Sequence, residues 1–150
     1  LSEAQVLKPN APSEDFLRLF AAHYITSLET YTPRTVERSH SILLGWVAPD
    51  KYAEAEAWFA EMAKGIQKMQ MSASLVVEDL AESKVERMDE LTYKVGIVAT
   101  RLGYMGSAAM TDHRLRYEIY LRVAAPTATN PRGLYVLGTS SAPMTKEELK

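Results

Sequence analysis

His40 is the side chain best suited to general base work, because imidazole titrates near neutral pH. It falls among Val36, Leu43 and Leu44 on one face of a helical pattern, with no acid at helical contact distance on that face. The spacing predicts a hydrogen-bonded core histidine, since buried polar groups find partners. His23 and His113 lie far from it in sequence, and no His-x-x-x-His or Glu-paired spacing links them. No metal site is expected from such spacing. The chain has no cysteine, so disulfides and thiolate ligands are excluded.

Catalysis inside a curved α+β domain needs an inward carboxylate or histidine beside a pocket. The inward positions of two alternating runs are Leu91, Tyr93, Val95 and Ile97, then Leu115, Tyr117, Ile119 and Leu121. None is an acid or a histidine. A preceding run of ambiguous phase offers one only as Glu78 or Asp79, and a pocket joining either to Tyr117 would favour an isomerase- or hydratase-like enzyme. Tyr93 and Tyr117 can donate hydrogen bonds, but core tyrosines do so as well. No Gly-x-Ser-x-Gly appears, and Gly103-Tyr-Met-Gly106 lacks the lysine and helix start of a phosphate loop. No catalytic residue is assigned, and no metal, nucleotide or covalent cofactor is expected.

Arg114, Arg116 and Arg122 occupy the outward positions of the clearest run, and Arg101 can join them. They form a candidate interaction surface for phosphate or an acidic partner. The plainer reading is alternating charge on a solvated strand. The seven methionines, Met62 and Met69 among them, read as core gap-fillers.

These residues must be positioned by one domain of 150 residues, a length that buries roughly 70% of its unfolded surface. A hydrophobic content of 47% with 24% charged residues fits an ordinary globular chain, and a net charge of -2 argues against a nucleic-acid binder. No apolar run is long enough to span a bilayer. Residues 1–12 contain two prolines and no period, and read as a tether. Ser13 caps a helix to about Leu28, with Phe16, Leu17, Phe20, Tyr24, Ile25 and Leu28 as its stripe. Thr32 and Pro33 open a second helix over residues 32–47, with Val36, His40, Leu43, Leu44 and Val47 on one face and Pro49 as its stop. A third runs from Pro49 or Asp50 to Gln70 on Tyr52, Ala55, Phe59, Met62, Ile66 and Met69, with Gly65 pointing to a tight contact.

After Met71 the period falls from 3.6 to 2. Residues 74–80 form a strand, with Leu75 and Val77 claiming one face and Val76 and Leu80 the other. Residues 82–90 make a turn or a twisted hairpin tip, and residues 91–100 a strand. A small-residue loop over 103–109 leads to the strand of Leu115 to Val123, and residues 134–138 form a short last strand. Residues 13–141 make the domain and 142–150 a polar tail, with Thr145-x-x-Glu148 as a capping box. The fold class is α+β, about three helices packed on one face of a four-stranded antiparallel sheet.

The helix pattern Thr35-Val36-x-x-Ser39-His40-x-x-Leu43-Leu44-x-x-Val47-x-Pro49 resembles the TraE family of conjugation proteins, relatives of the eighth VirB subunit of type IV secretion systems. Glu29-x-Tyr31 before it and Asn130-Pro131-Arg132-Gly133 after it are similar to motifs of the same subunits, in the same order. The last is also a good turn on physical grounds, with proline fixing φ and glycine accepting a positive one. TraE-type relatives commonly lack that turn, so the chain combines features of both groups. The resemblance spans roughly residues 13–141 and implies a cone like that of nuclear transport factor two. It implies a periplasmic, non-enzymatic scaffold that contacts other secretion subunits and itself, with Asn130, Pro131 and Gly133 as a candidate contact. It also implies one upstream transmembrane anchor, and a chain opening on Leu1 fits a cut just after it. The competing class is a small-molecule-binding or enzymatic cone protein with an apolar pocket.

Overall fold

The computed structural model describes residues 11–144. The expected tether up to residue 10 and the capping box at Thr145 lie outside them. Three α-helices come first: α1 (Glu14–Leu28), α2 (Val36–Leu44) and α3 (Tyr52–Met69), the last entered through a 3-10 turn at Pro49–Lys51. Six strands follow: β1 (Met71–Val77), β2 (Lys84–Arg87), β3 (Thr92–Met105), β4 (Ala108–Ala109), β5 (His113–Val123) and β6 (Leu134–Pro143).

The helix starts follow local chemistry. Ser13 Oγ accepts from Phe16 N at 3.1 Å, and Arg18 pairs with Glu14 and Asp15 in the first turn. Leu17, Phe20, Ala21, Tyr24, Ile25 and Leu28 are buried, whereas Phe16 lies outside the stripe at 38% exposure. The N-cap of the second helix is Thr35, three residues past the expected Thr32, and Thr32 braces it through a reciprocal pair. Its Oγ1 accepts from Thr35 N at 3.2 Å, and Thr35 Oγ1 accepts from Thr32 N at 2.9 Å. Regular α-helix starts only at Val36 and stops at Leu44, short of the expected Val47. The cause is a competing partner. Val136 N donates to Trp46 O at 2.8 Å and Ala48 N donates to Val136 O at 2.9 Å, so residues 46–48 run along β6 instead of helically.

On α3 only Phe59, Ala63 and Ile66 are buried, and Tyr52 and Met69 are exposed. The buried seam is narrower than the apolar stripe. A Cβ at Gly65 would meet nothing within 4 Å, so no tight contact explains that glycine. Gln70 ends the helix in the left-handed region at φ 52°, and β1 begins at once, ahead of the expected Ser74. Its phase is settled by Leu75, which is buried, and Val76, which is exposed. Leu80 belongs to a 3-10 turn at Leu80–Glu82, not to the strand.

The sheet is antiparallel in the order β1-β3-β5-β6, with β2 and β4 on β3 as well, two strands more than expected. β3 extends through the expected loop to Met105 and turns back through Gly106 into β4, where Tyr104 faces Ala109. β6 reaches Pro143, so residues 142 and 143 belong to the sheet rather than to a tail. Tyr93, Val95, Ile97, Leu115, Tyr117, Ile119 and Leu121 are all buried as expected, but Leu91 is 46% exposed. It precedes the strand in a turn pinned by Asp89, whose Oδ1 accepts from Leu91 N and Thr92 N at 2.9 Å each. The main core joins this inner face to α1, and a smaller cluster of Tyr31, Val36, Ala63 and Ile66 joins α2 to α3.

Two substitutions test the packing by chemical denaturation. Ile119→Ala, at 0% exposure, should destabilise by about 2–5 kcal/mol. Gly65→Ala should stabilise by about 0.5–1 kcal/mol, because the helix gains propensity and the methyl group meets open space.

Candidate functional site

The inward carboxylate of the cone comes from a helix end. Glu29 caps α1, its N–H donating to Ile25 O, and it continues the buried stripe one turn beyond Ile25. Its side chain points between the helices and the sheet at 8% residue exposure. Glu29 Oε2 accepts from Tyr117 Oη at 3.0 Å and from Arg101 Nη1 at 3.3 Å. Burial first, then the Glu29 charge, pushes the Tyr117 hydroxyl well above its ordinary range, so it stays a donor. Tyr31 is raised by the same two causes in the same order. A carboxylate gripped by two donors and packed in apolar surroundings is a structural tie. None of the three main clefts is lined by Glu29 or Tyr117.

Neither expected acid reaches Tyr117. Glu78 lies on the opposite sheet face, accepting from Arg114 Nη2 at 2.7 Å and Nε at 2.9 Å, and Asp79 is exposed before the 3-10 turn. Sequence reasoning places Glu29 in the Glu29-x-Tyr31 motif but not among the inward acids, which it expects only from the strands. The usable signal was its place four residues after Ile25 on a buried stripe.

His40 is a core residue at 3% exposure, its ring 4.8 Å from that of Phe59. The expected hydrogen bond is missing: neither ring nitrogen has a partner of ordinary geometry. Burial lowers its pKa below the usual histidine value, with backbone groups of Leu28 and Phe59 and the Glu29 charge pulling weakly the other way. His23 packs edge-on against Trp46 and His113 opens β5, so the three histidines do not converge. Among the described residues no group of three His, Asp or Glu side chains could hold a metal ion. In the family-pattern helix, Val36, His40 and Leu43 are buried, Ser39 and Leu44 half-buried, Thr35 caps, and Pro49 is exposed at the 3-10 turn.

The outer sheet face carries the arginines, and they are engaged. Arg114 holds Glu78, and Arg122 reaches back to Asp50 at 2.8 Å, holding that carboxyl below its usual range. Arg101 does not join them, because it turns to Glu29. Arg116 is exposed on this face. Lys94 pairs with Glu86 at 3.1 Å and lies 3.9 Å from Glu118, completing a shallow cleft of about 560 Å³ lined by both signs of charge.

The Asn130-Pro131-Arg132-Gly133 turn closes the β5–β6 corner. Asn130 is buried and its Nδ2 donates to Leu134 O at 3.1 Å. Gly133 has φ +70°, and a Cβ there would lie 2.9 Å from Ala124 O, so glycine is required twice over. Only Pro131 and Arg132 are exposed, and the Arg132 guanidinium lies 3.8 Å over the Trp46 ring. The turn is therefore an internal fastening with one exposed edge.

Helices on an antiparallel sheet, a packed interior and an inward carboxylate bonded at both sides define a cone of the nuclear-transport-factor-two type. The chain belongs to the TraE protein family, whose family model matches residues 1–126, and is a subunit of the type IV secretion class. An IcmL-like type IV secretion system protein from Legionella pneumophila is 14% identical with a TM-score of 0.73, covering 91% of this chain and 96% of that one. The periplasmic domain of DotI gives 11% identity and a TM-score of 0.74, covering 90% and 99%. VirB8 of Agrobacterium tumefaciens gives 10% identity and a TM-score of 0.62, covering 91% and 97%. No curated protein matches the sequence.

His40 generates a pH prediction. Its folded pKa is lowered, so below the ordinary value of 6.5 the unfolded chain binds a proton that the folded one refuses. Stability should therefore fall as the pH drops through that value, by at most about 1.4 kcal/mol per pH unit, and be unaffected by this group well above it. Urea unfolding of wild type and His40→Leu at neutral and mildly acidic pH checks this. The variant should show the flatter dependence.

Proposed function

We propose that this chain is a non-enzymatic assembly subunit of a conjugative type IV secretion apparatus. It works in the periplasm through contacts with other secretion subunits and with copies of itself. A segment preceding these residues anchors it in the inner membrane. The observation that carries the reading is Glu29: among the described residues the inward carboxylate that a cone enzyme would use is already tied to Tyr117 and Arg101 in packed surroundings. Family membership and the likeness to a periplasmic domain support the setting.

Tethering to a two-dimensional membrane raises effective concentration, so such a scaffold can assemble through weak contacts. The isolated domain is expected to be a monomer or weak dimer, with contacts from α1, the charged sheet face or the last strand. An interface of this kind buries less than about 1,200 Å².

Charge reversal of Arg114 and Arg116 together tests the surface. The Arg114–Glu78 pair is 37% and 36% exposed, and such pairs contribute about 1 kcal/mol or less. The thermal midpoint should thus change little, while conjugative transfer in a strain complemented with the double variant should drop sharply. Normal transfer by that variant returns these arginines to an ordinary solvated face. Normal transfer after deleting the whole gene overturns the secretion role.

A further inference from the structure

We infer that the open edge of β6 and the cleft beside it form a docking site for an extended segment of another secretion subunit, carrying a basic residue two positions from a large apolar one. The identity of the supplier rests on the secretion role proposed above. The site itself rests on the following geometry.

The two sheet edges are treated differently. The β1 edge is covered, with Tyr31 N donating to Ala73 O at 2.9 Å, Ala73 N to Tyr31 O at 3.0 Å, and Leu75 N to Thr30 Oγ1 at 3.2 Å. Among the described residues the β6 edge is covered only at its start, at Val136 by residues 46–48 and at Leu134 O by Asn130 Nδ2. Beyond it a bulge at Leu137 resets the pairing with β5. Met144 N donates to Arg114 O at 3.2 Å, which fixes the alternation above the bulge. Ala142, Ser140 and Gly138 turn their backbone groups toward β5, so Thr139 and Ser141 present N–H and C=O to the open side. No other described loop or turn segment bonds to them. Natural edges are commonly defended by charge. From Leu137 to Ala142 this one carries no charged side chain.

A cleft of about 250 Å³ lies between that edge and α3, with Tyr24, Val47, Phe59, Val136 and Thr139 in its lining. Trp58 stands at its mouth, 49% exposed. Glu54, one turn earlier on α3, is exposed and makes no ion pair among the described residues. Lys51, a further turn back, also lines the cleft, next to the Asp50 that Arg122 holds. An aromatic face next to an unpaired carboxylate selects a cation. A strand added to β6 points every second side chain toward α3. One such position meets the apolar lining, and the next meets Trp58 and Glu54. Main-chain bonds to Thr139 and Ser141 supply affinity, and these two positions supply specificity. Residues 46–48, already laid along the same edge, show that it accepts an extended chain.

The test places a photo-cross-linking phenylalanine analogue at Ser141 of the full-length protein, in cells where conjugative transfer depends on it. Cross-linked peptides are sequenced by mass spectrometry. The expected product joins residue 141 to a segment of another secretion subunit with the stated basic and apolar pair. Glu54→Lys, an exposed change, should abolish that product without moving the thermal midpoint. Absence of a product, a product with a second copy of this chain, or a product that survives Glu54→Lys each overturns the site. Each of these leaves the secretion role standing, because transfer already depends on the protein in that strain.

Discussion

Strand β3 is the member on which the rest of this structure is hung. Its 14 residues pair with β2 and then β1 along one edge, and with β5 and then β4 along the other. β6 reaches it only through β5. One continuous strand thus sets the register of two hairpins and of the inner face that α1 covers. A one-residue slip in β3 would turn Tyr93, Val95, Ile97 and Ala99 to solvent together. Four side chains buried on one face make that slip prohibitive, so register is specified where it matters most.

The two faces of the sheet divide the labour. Inside, apolar side chains fill the cone, and the one tie to a charge, from Tyr117 and Arg101 to Glu29, also fastens the end of α1 to β3 and β5. A carboxylate deprived of these partners in that setting would cost far more than the pair contributes, because the desolvated charge would remain. Outside, the charges are cross-strand pairs at half exposure, whose energies are small and whose geometry adapts. Rigidity resides within and adaptability without, as the proposed assembly role requires.

How much of this was legible in the sequence depended on what each signal competes with. The β3 and β5 alternation was readable because period 2 with one buried face leaves little choice, and seven of eight inward positions are buried. Leu91 failed because a side-chain cap from Asp89 outranked alternation at a strand end. The end of α2 was misjudged for a related reason: residues 46–48 have helical neighbours in sequence but a better partner in β6, and only tertiary structure supplies it. Strands β2 and β4 are short, polar or small-residue segments whose pairing is dictated by β3. Glu29 and the Arg101 that meets it lie far apart in the chain, so no local pattern announces their pairing. The Asn130–Gly133 corner was recognised as a turn, whereas Arg132 stacking on Trp46 was invisible for the same reason.

The parallel stitch between Val47 and Val136 has a bearing on how the chain acquires its shape. It binds the connection between α2 and α3 to the last strand, so the first half of the polypeptide cannot complete its own hydrogen bonding until nearly all the rest is present. A chain emerging from its N-terminus holds helices whose link still lacks a partner, and non-local closure of that kind comes late. Commitment is thereby deferred to the arrival of β6. The last strand thus closes hydrogen bonds that the helical half leaves open.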